Sequence, residues 1–173
     1  MTIFLQTKRL ILKIIELSDF DNLIILRTDP EVMKYFGKVQ TKEVVEKFLA
    51  LAMEYQKKHG FGYCSVFEKE SGAFVGQAGL FHIGFDDQQP NIEVAYRLHK
   101  IYWGKGYATE LARALIQWGF QHLSVTKLIG LTQLENVPSQ HVLEKAGMVY
   151  IGKVNYYDSE LLCYEIYKQK LPL

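Results

Sequence analysis

Two glycines set between a strand and a helix constrain this chain most. Residues 91–98 (NIEVAYRL) alternate, with Ile92, Val94, Tyr96 and Leu98 on one face and Glu93, Ala95 and Arg97 on the other. Residues 107–122 carry the period of a helix. Between them lies Tyr102-Trp103-Gly104-Lys105-Gly106-Tyr107-Ala108-Thr109. The first N–H groups of a helix lack internal partners and carry partial positive charge. Glycines there let the backbone approach an anion closely, so the turn can cradle a pyrophosphate. Lys105 offers a charge and Thr109 a hydroxyl. An ordinary tight strand-to-helix turn would use the same glycines, so the pair alone does not decide. A dinucleotide fingerprint wants a third glycine near Thr109 and an acid about twenty positions on, where Ser124 and Val125 stand. A Walker A loop needs Gly-Lys-Ser/Thr, which is absent.

The surrounding pattern supplies the rest of a layered fold. Residues 9–17 (RLILKIIEL) read as the first strand, Ser18 as the cap of a short helix to about residue 27, and Asp29-Pro30 as its break. Thr41 caps a longer helix bearing Val44, Val45, Phe48, Leu51, Ala52 and Tyr55, which His59-Gly60 ends. Residues 63–68 and 73–81 form a hairpin about Ser71-Gly72, and 83–90 a loop. After the central strand and helix come a strand at 127–134, a short helix at 138–146 closed by Gly147, and strands at 148–157 and 161–167 across Asp158-Ser159. This order predicts a mixed sheet with helices on both faces, in one domain over residues 1–173.

Composition excludes several classes. With a net charge of +1 and scattered basic residues, no field recruits nucleic acid or an anionic membrane. No run of apolar residues is long enough to span a bilayer, and Ile3 to Leu5 is too short for a signal-peptide core. Cys64 and Cys163 sit in no ligand or disulfide spacing. A cytoplasmic protein, monomer or homodimer, is the expectation. The 5 histidines show no i, i+4 pairing, so no metal site is expected.

A second segment, Asn136-Val137-Pro138-Ser139-Gln140-His141-Val142-Leu143-Glu144-Lys145-Ala146-Gly147-Met148, reads by itself as a capped amphipathic helix. Together with the glycine turn it resembles the GNAT N-acetyltransferase superfamily. Gly104 to Ala108 looks like its acyl-CoA pyrophosphate loop, and the second segment like its Asn-x-x-Ser helix. The opening Thr7-Lys8-Arg9-Leu10-Ile11-Leu12 and the phrase Glu93-Val94-Ala95-Tyr96-Arg97-Leu98 resemble the branch of the RimJ/RimL ribosomal-protein N-terminal acetyltransferases. The resemblance implies an α/β (α+β) fold with a mostly antiparallel twisted sheet of about six to seven strands and a splayed central strand pair. It departs at Trp103, where the loop often begins with Arg or Gln, and at Leu143, where many relatives carry a catalytic tyrosine.

The resemblance further implies acetyl-CoA as co-substrate and a primary amine as acceptor, either a ribosomal-protein or peptide N-terminus or a small amine. Gly104, Lys105, Gly106, Tyr107, Ala108 and Thr109 would hold the diphosphate, Val94, Ala95 and Tyr96 the pantetheine and thioester, and Asn136 the pantetheine amide or acetyl group. Glu93 is the candidate base, acting through water, against the alternative of a solvated glutamate paired with Arg97. Ser139 is the candidate donor to the leaving sulfur, against plain helix capping. Tyr156, Tyr157 and Tyr164 either line the acceptor cleft or pack across strands. The competing functions are a non-catalytic acyl-CoA-binding module and a dinucleotide-binding domain.

Overall fold

The computed structural model describes residues 2–169. Eight strands form one sheet in the order β1-β2-β3-β4-β5-β6-β8-β7. They are β1 Ile3–Gln6, β2 Leu10–Ile14, β3 Tyr63–Glu68, β4 Phe74–His82, β5 Ile92–Leu98, β6 Lys127–Thr132, β7 Val149–Tyr156 and β8 Ser159–Tyr167. Helices α1 Phe20–Thr28, α2 Pro30–Met33, α3 Lys42–His59, α4 Tyr107–His122 and α5 Val137–Lys145 complete the fold.

The sheet is antiparallel except where β5 meets β6, and those two pair in parallel only at Glu93↔Ile129. Beyond Glu93, β5 keeps its ladder to β4 through Gly76↔Leu98 while its other edge has no paired strand. The central pair therefore splays, and past Glu93 the free edge of β5 borders the opening.

Alternation along the strands sorts the two faces. On one, Leu80, Val94 and Leu128 pack with Leu111 and Leu115 of α4 and Leu143 of α5 in the main core. On the other, α1 and α3 bury Leu23, Val45, Leu49 and Ala52 against Ile15. Helices α3 and α5 have sequence-encoded ends. Thr41 Oγ1 accepts from Val44 N, and Gly60 takes the left-handed conformation, φ +75°, at the end of α3. Gly147, φ +95°, ends α5 with Met148 N donating to Leu143 O, a Schellman closure. Gly79 is required by close approach, since a Cβ there would lie 2.1 Å from the Gly62 carbonyl oxygen.

The mixed sheet is the expected one, with an eighth strand added because Ile3–Gln6 pairs antiparallel with β2. Two expectations need correction. Ser18 does not cap α1. It lies inside a 3₁₀ turn, Leu17–Asp19, and buried Asp19 accepts from Glu16 N at 2.9 Å instead. The last hairpin turns at Tyr157-Asp158, both with positive φ (54° and 56°), and β8 already begins at Ser159.

Candidate active site

The glycine turn is built as a cradle. Gly104 and Gly106 have φ of +74° and +79°, and a Cβ on Gly104 would meet nothing within 4 Å. Gly106 is the N-cap of α4 and no side chain caps that end, so the first-turn N–H groups face outward. The turn is held from outside by the chain's opening segment. Arg9 Nη1 donates to Lys105 O at 2.9 Å, Arg9 Nε pairs with Glu110 at 2.7 Å, and Thr7 Oγ1 donates to Glu110 at 2.6 Å. The Arg9 guanidinium also lies over the Tyr107 ring. Arg9 was absent from the sequence-derived site, although Thr7-Lys8-Arg9-Leu10 marked the resemblance; nothing in its spacing tells that it crosses to residue 105. Trp103 Nε1 donates to Leu98 O at 2.8 Å and so closes the turn.

Across the splay, α5 brings Asn136 and Ser139 towards β5. Asn136 Oδ1 accepts from Ser139 N at 3.2 Å, the expected capping bond. Ser139 Oγ lies 3.0 Å from the Tyr96 hydroxyl, which also donates to Ser139 O. Burial pushes the Tyr96 phenol pKa up. Leu143, where the resemblance would put a tyrosine, is a core residue at 1% exposure.

On the other face, Glu93 is buried, and its partner is not Arg97. The Tyr157 hydroxyl donates to Glu93 Oε2 at 2.6 Å and accepts from Gly84 N at 3.1 Å. Burial lifts the Glu93 carboxyl from 4.5 to about 7, opposed by the Tyr157 hydrogen bond and by Arg97. Burial, then the Glu93 charge, pushes the Tyr157 phenol up. Tyr157 thus belongs to the cleft, whereas Tyr164 is buried in the core. Its left-handed backbone, costly for an aromatic residue, sits where the hydroxyl meets the carboxyl.

Glu93, Val94, Ala95, Tyr96, the turn residues Gly104, Gly106, Tyr107, Ala108 and Thr109, and Asn136 and Ser139 all line one cleft of ≈ 800 Å³. Lys105 is not on its wall; it holds Arg9 through its carbonyl. The cleft reaches past Glu93 to Arg27, Gln40, Phe48 and Arg97. Arg27 was missed too, yet it falls four residues after buried Leu23, on the core face of α1, and a charge on that face was a readable signal.

Donor atoms of His59, His82 and Asp87 gather within 4.8 Å of one another, which spacing along the chain did not foretell. Protein partners already engage them: Lys58 and His59 pair with Asp87, and the Tyr55 hydroxyl meets His82 Nδ1 at 2.5 Å. Among the described residues, no helix is long and apolar enough to cross a membrane.

Comparison with known proteins agrees with this architecture. YkkB of Bacillus subtilis (strain 168) is 30% identical over 162 residues, covering 93% of this chain and 94% of that protein. The uncharacterized N-acetyltransferase p20 of Bacillus licheniformis is 30% identical over 160 residues, 89% of this chain and 86% of its own. The crystal structure of an acetyltransferase from Agrobacterium tumefaciens str. C58 superposes with a TM-score of 0.83 at 25% identity, over 95% of this chain and 94% of the other. Residues 9–149 match the acetyltransferase (GNAT) domain, and on that match the chain belongs to the GNAT family and is an acetyltransferase.

Proposed function

We propose that the protein transfers the acetyl group of acetyl-CoA to a primary amine by direct attack in a ternary complex, as in the RimJ/RimL-like branch. The observation that carries this reading is a single cleft joining the uncapped start of α4 to the buried Glu93 carboxyl through the splayed strands. The diphosphate lies on the N–H groups of residues 104–109, and the pantetheine runs through the splay beside Ala95, Tyr96 and Asn136. The fit is chemical as well as spatial, since outward N–H groups and glycines without Cβ atoms suit an anion.

In the reaction the amine nitrogen forms a bond to the thioester carbonyl carbon, and the C–S bond breaks as the tetrahedral oxyanion collapses. Unpaired β5 backbone N–H groups stabilise that oxyanion. Glu93 receives the amine proton through water, and a carboxyl near 7 suits that task at neutral pH. An α-amine with pKa near 8 is already about 10% neutral at pH 7, so modest help suffices. The thiolate leaves with a hydrogen bond from Ser139 Oγ, whose lone pair then accepts the Tyr96 proton in place of Ser139 O. A thiol of pKa near 8.5 needs no stronger acid, so Leu143 in place of tyrosine is tolerable. Two buried free cysteines, Cys64 and Cys163, support work in a reducing cytoplasm.

The test is release of free thiol from acetyl-CoA against a panel of peptide, polyamine and amino-acid amines. Acceptor-dependent release supports the reading. Tight CoA binding with no release for any amine leaves only a binding module.

A further inference from the structure

The cleft beyond Glu93 holds two buried guanidinium groups that form no direct ion pair among the described residues. Arg27 is 3% exposed and Arg97 9%. Among the described residues, no carboxylate forms an ion pair with either. Arg27 is fixed by neutral groups only: Nε donates to Gln77 Oε1 at 2.9 Å and Nη1 to Gln40 Oε1 at 3.1 Å, with its guanidinium 3.4 Å from the centre of the Phe48 ring. Arg97 lies 3.9 Å from the Phe36 ring centre, and its Nε and Nη1 are buried with no hydrogen-bond partner. Gln77 faces Arg97 across the β4–β5 ladder, and its Nε2 is unpartnered as well.

These orphaned atoms are all donors. The Gln77 carbonyl is committed to Arg27, which turns the amide N–H groups free. A buried guanidinium without a counter-ion is among the most costly arrangements a core can hold. Burial, and for Arg27 the neighbouring Arg97 charge, pulls both pKa values down. Glu93 eases the deficit only through space, since its hydrogen bond goes to Tyr157 and it reaches none of the orphaned donors. An anion with two or more acceptor oxygens would satisfy the Arg97 fork and the Gln77 amide together.

We propose that Arg27 and Arg97 receive an anionic group on the acceptor, so that the acceptor is a compact zwitterion, an amine that also bears a carboxylate or phosphonate. The inference rests on the acetyl-transfer reading of the same cleft. Its geometry supports it: Glu93 and Arg97 share a face of β5, and four strand residues separate their Cα atoms by about 13 Å, which two side chains shorten. An acceptor of amino-acid size bridges such a gap with its amine at Glu93 and its anion at the arginines. A polyamine would bring further positive charge to two buried cations.

The experiment compares matched acceptors by thiol release: free α- and ω-amino acids, their carboxamides, the decarboxylated amines, aminophosphonates and a peptide amide. The expected result is a kcat/KM at least ~100-fold higher for one or more anionic acceptors than for the matching carboxamide. Aminophosphonates against carboxylates then tell which anion is used. Arg97→Gln should raise KM for the anionic acceptor by ~100-fold relative to the matching carboxamide and leave CoA affinity unchanged, with both acceptors compared on the plateau of their own pH profiles because Arg97 also holds the Glu93 carboxyl down. Should Arg97→Gln not fold, Arg97→Lys keeps the charge without the fork and should lose an intermediate share of the preference. Equal turnover of anions and carboxamides, or an equal loss for both in either variant, overturns the inference and leaves the acetyltransferase reading standing. Thiol release with no amine at all overturns both.

Discussion

Glu93 is held in a place where its charge is unwelcome, and the energy of that can be read by equilibrium unfolding. Its carboxyl stands at about 7 in the folded protein against an ordinary 4.5. At ~1.4 kcal/mol for each tenfold change in proton affinity, the difference amounts to about 3 kcal/mol. The sign follows from proton counts. Between pH 4.5 and about 7 the folded state holds a proton that the unfolded state has lost, so stability falls as pH rises. The contribution is present in full below the unfolded value and gone once pH passes the folded one. Glu93→Gln removes the titration and keeps an oxygen to accept from Tyr157. The variant's amide adds a constant offset through its own unmet N–H groups, so the slope is diagnostic and the offset is not. Urea unfolding of both proteins at half-unit steps from pH 5 to 8.5 should show the wild type losing stability relative to Glu93→Gln, most of the about 3 kcal/mol falling before pH 7.5. A difference that stays flat with pH would refute the reasoning, because Glu93 would then titrate alike in both states.

Three further outcomes test neighbouring parts. Tyr157→Phe removes the hydrogen bond that favours the ionised carboxylate, so the acid limb of the kcat/KM profile should move up by about one pH unit; an unmoved limb separates Tyr157 from the proton path. Gly106→Asp puts a carboxylate at the start of α4, with its Cβ 3.5 Å from Arg9 Nη2 at φ +79°, and calorimetry should give a CoA dissociation constant raised ~10- to 100-fold, beyond the modest fall in melting temperature that about 1–2 kcal/mol of backbone strain brings. Gly79→Ala would press a Cβ to 2.1 Å from the Gly62 carbonyl oxygen and 2.7 Å from Tyr63 Cα, backbone that cannot swing aside, and should cost about 3 kcal/mol or more in urea unfolding.

The fold was legible where local signals agree. Alternation in NIEVAYRL, Thr41 and Gly60 at the ends of α3, and the glycines before α4 each fix an element through the backbone itself. The failures lie where partners are remote. Ile3–Gln6 becomes a strand because β2 offers it an edge, which four residues do not announce. Tyr157-Asp158 turns the last hairpin although Asp158-Ser159 has the commoner composition, and a left-handed tyrosine is not something propensity favours.

The site divides along the same line, and the division has a physical cause. Features set by the backbone, such as the glycine turn before α4 and the Asn136 cap, are local, and their geometry was readable. Groups that act through charge were only half readable, because the meaning of a charge depends on what covers it. Glu93 and Arg97 lie on one strand face, and from the sequence they make an ordinary pair. Folding places Tyr157 against one and Phe36 against the other, so the two are divided and both are buried. A strand pairing that reads as an ordinary ion pair becomes a buried carboxyl bonded to a phenol and a guanidinium with free donors, coupled only through space. Coverage by rings from a distant hairpin and from the segment after α2 makes that change, and no period along β5 encodes it.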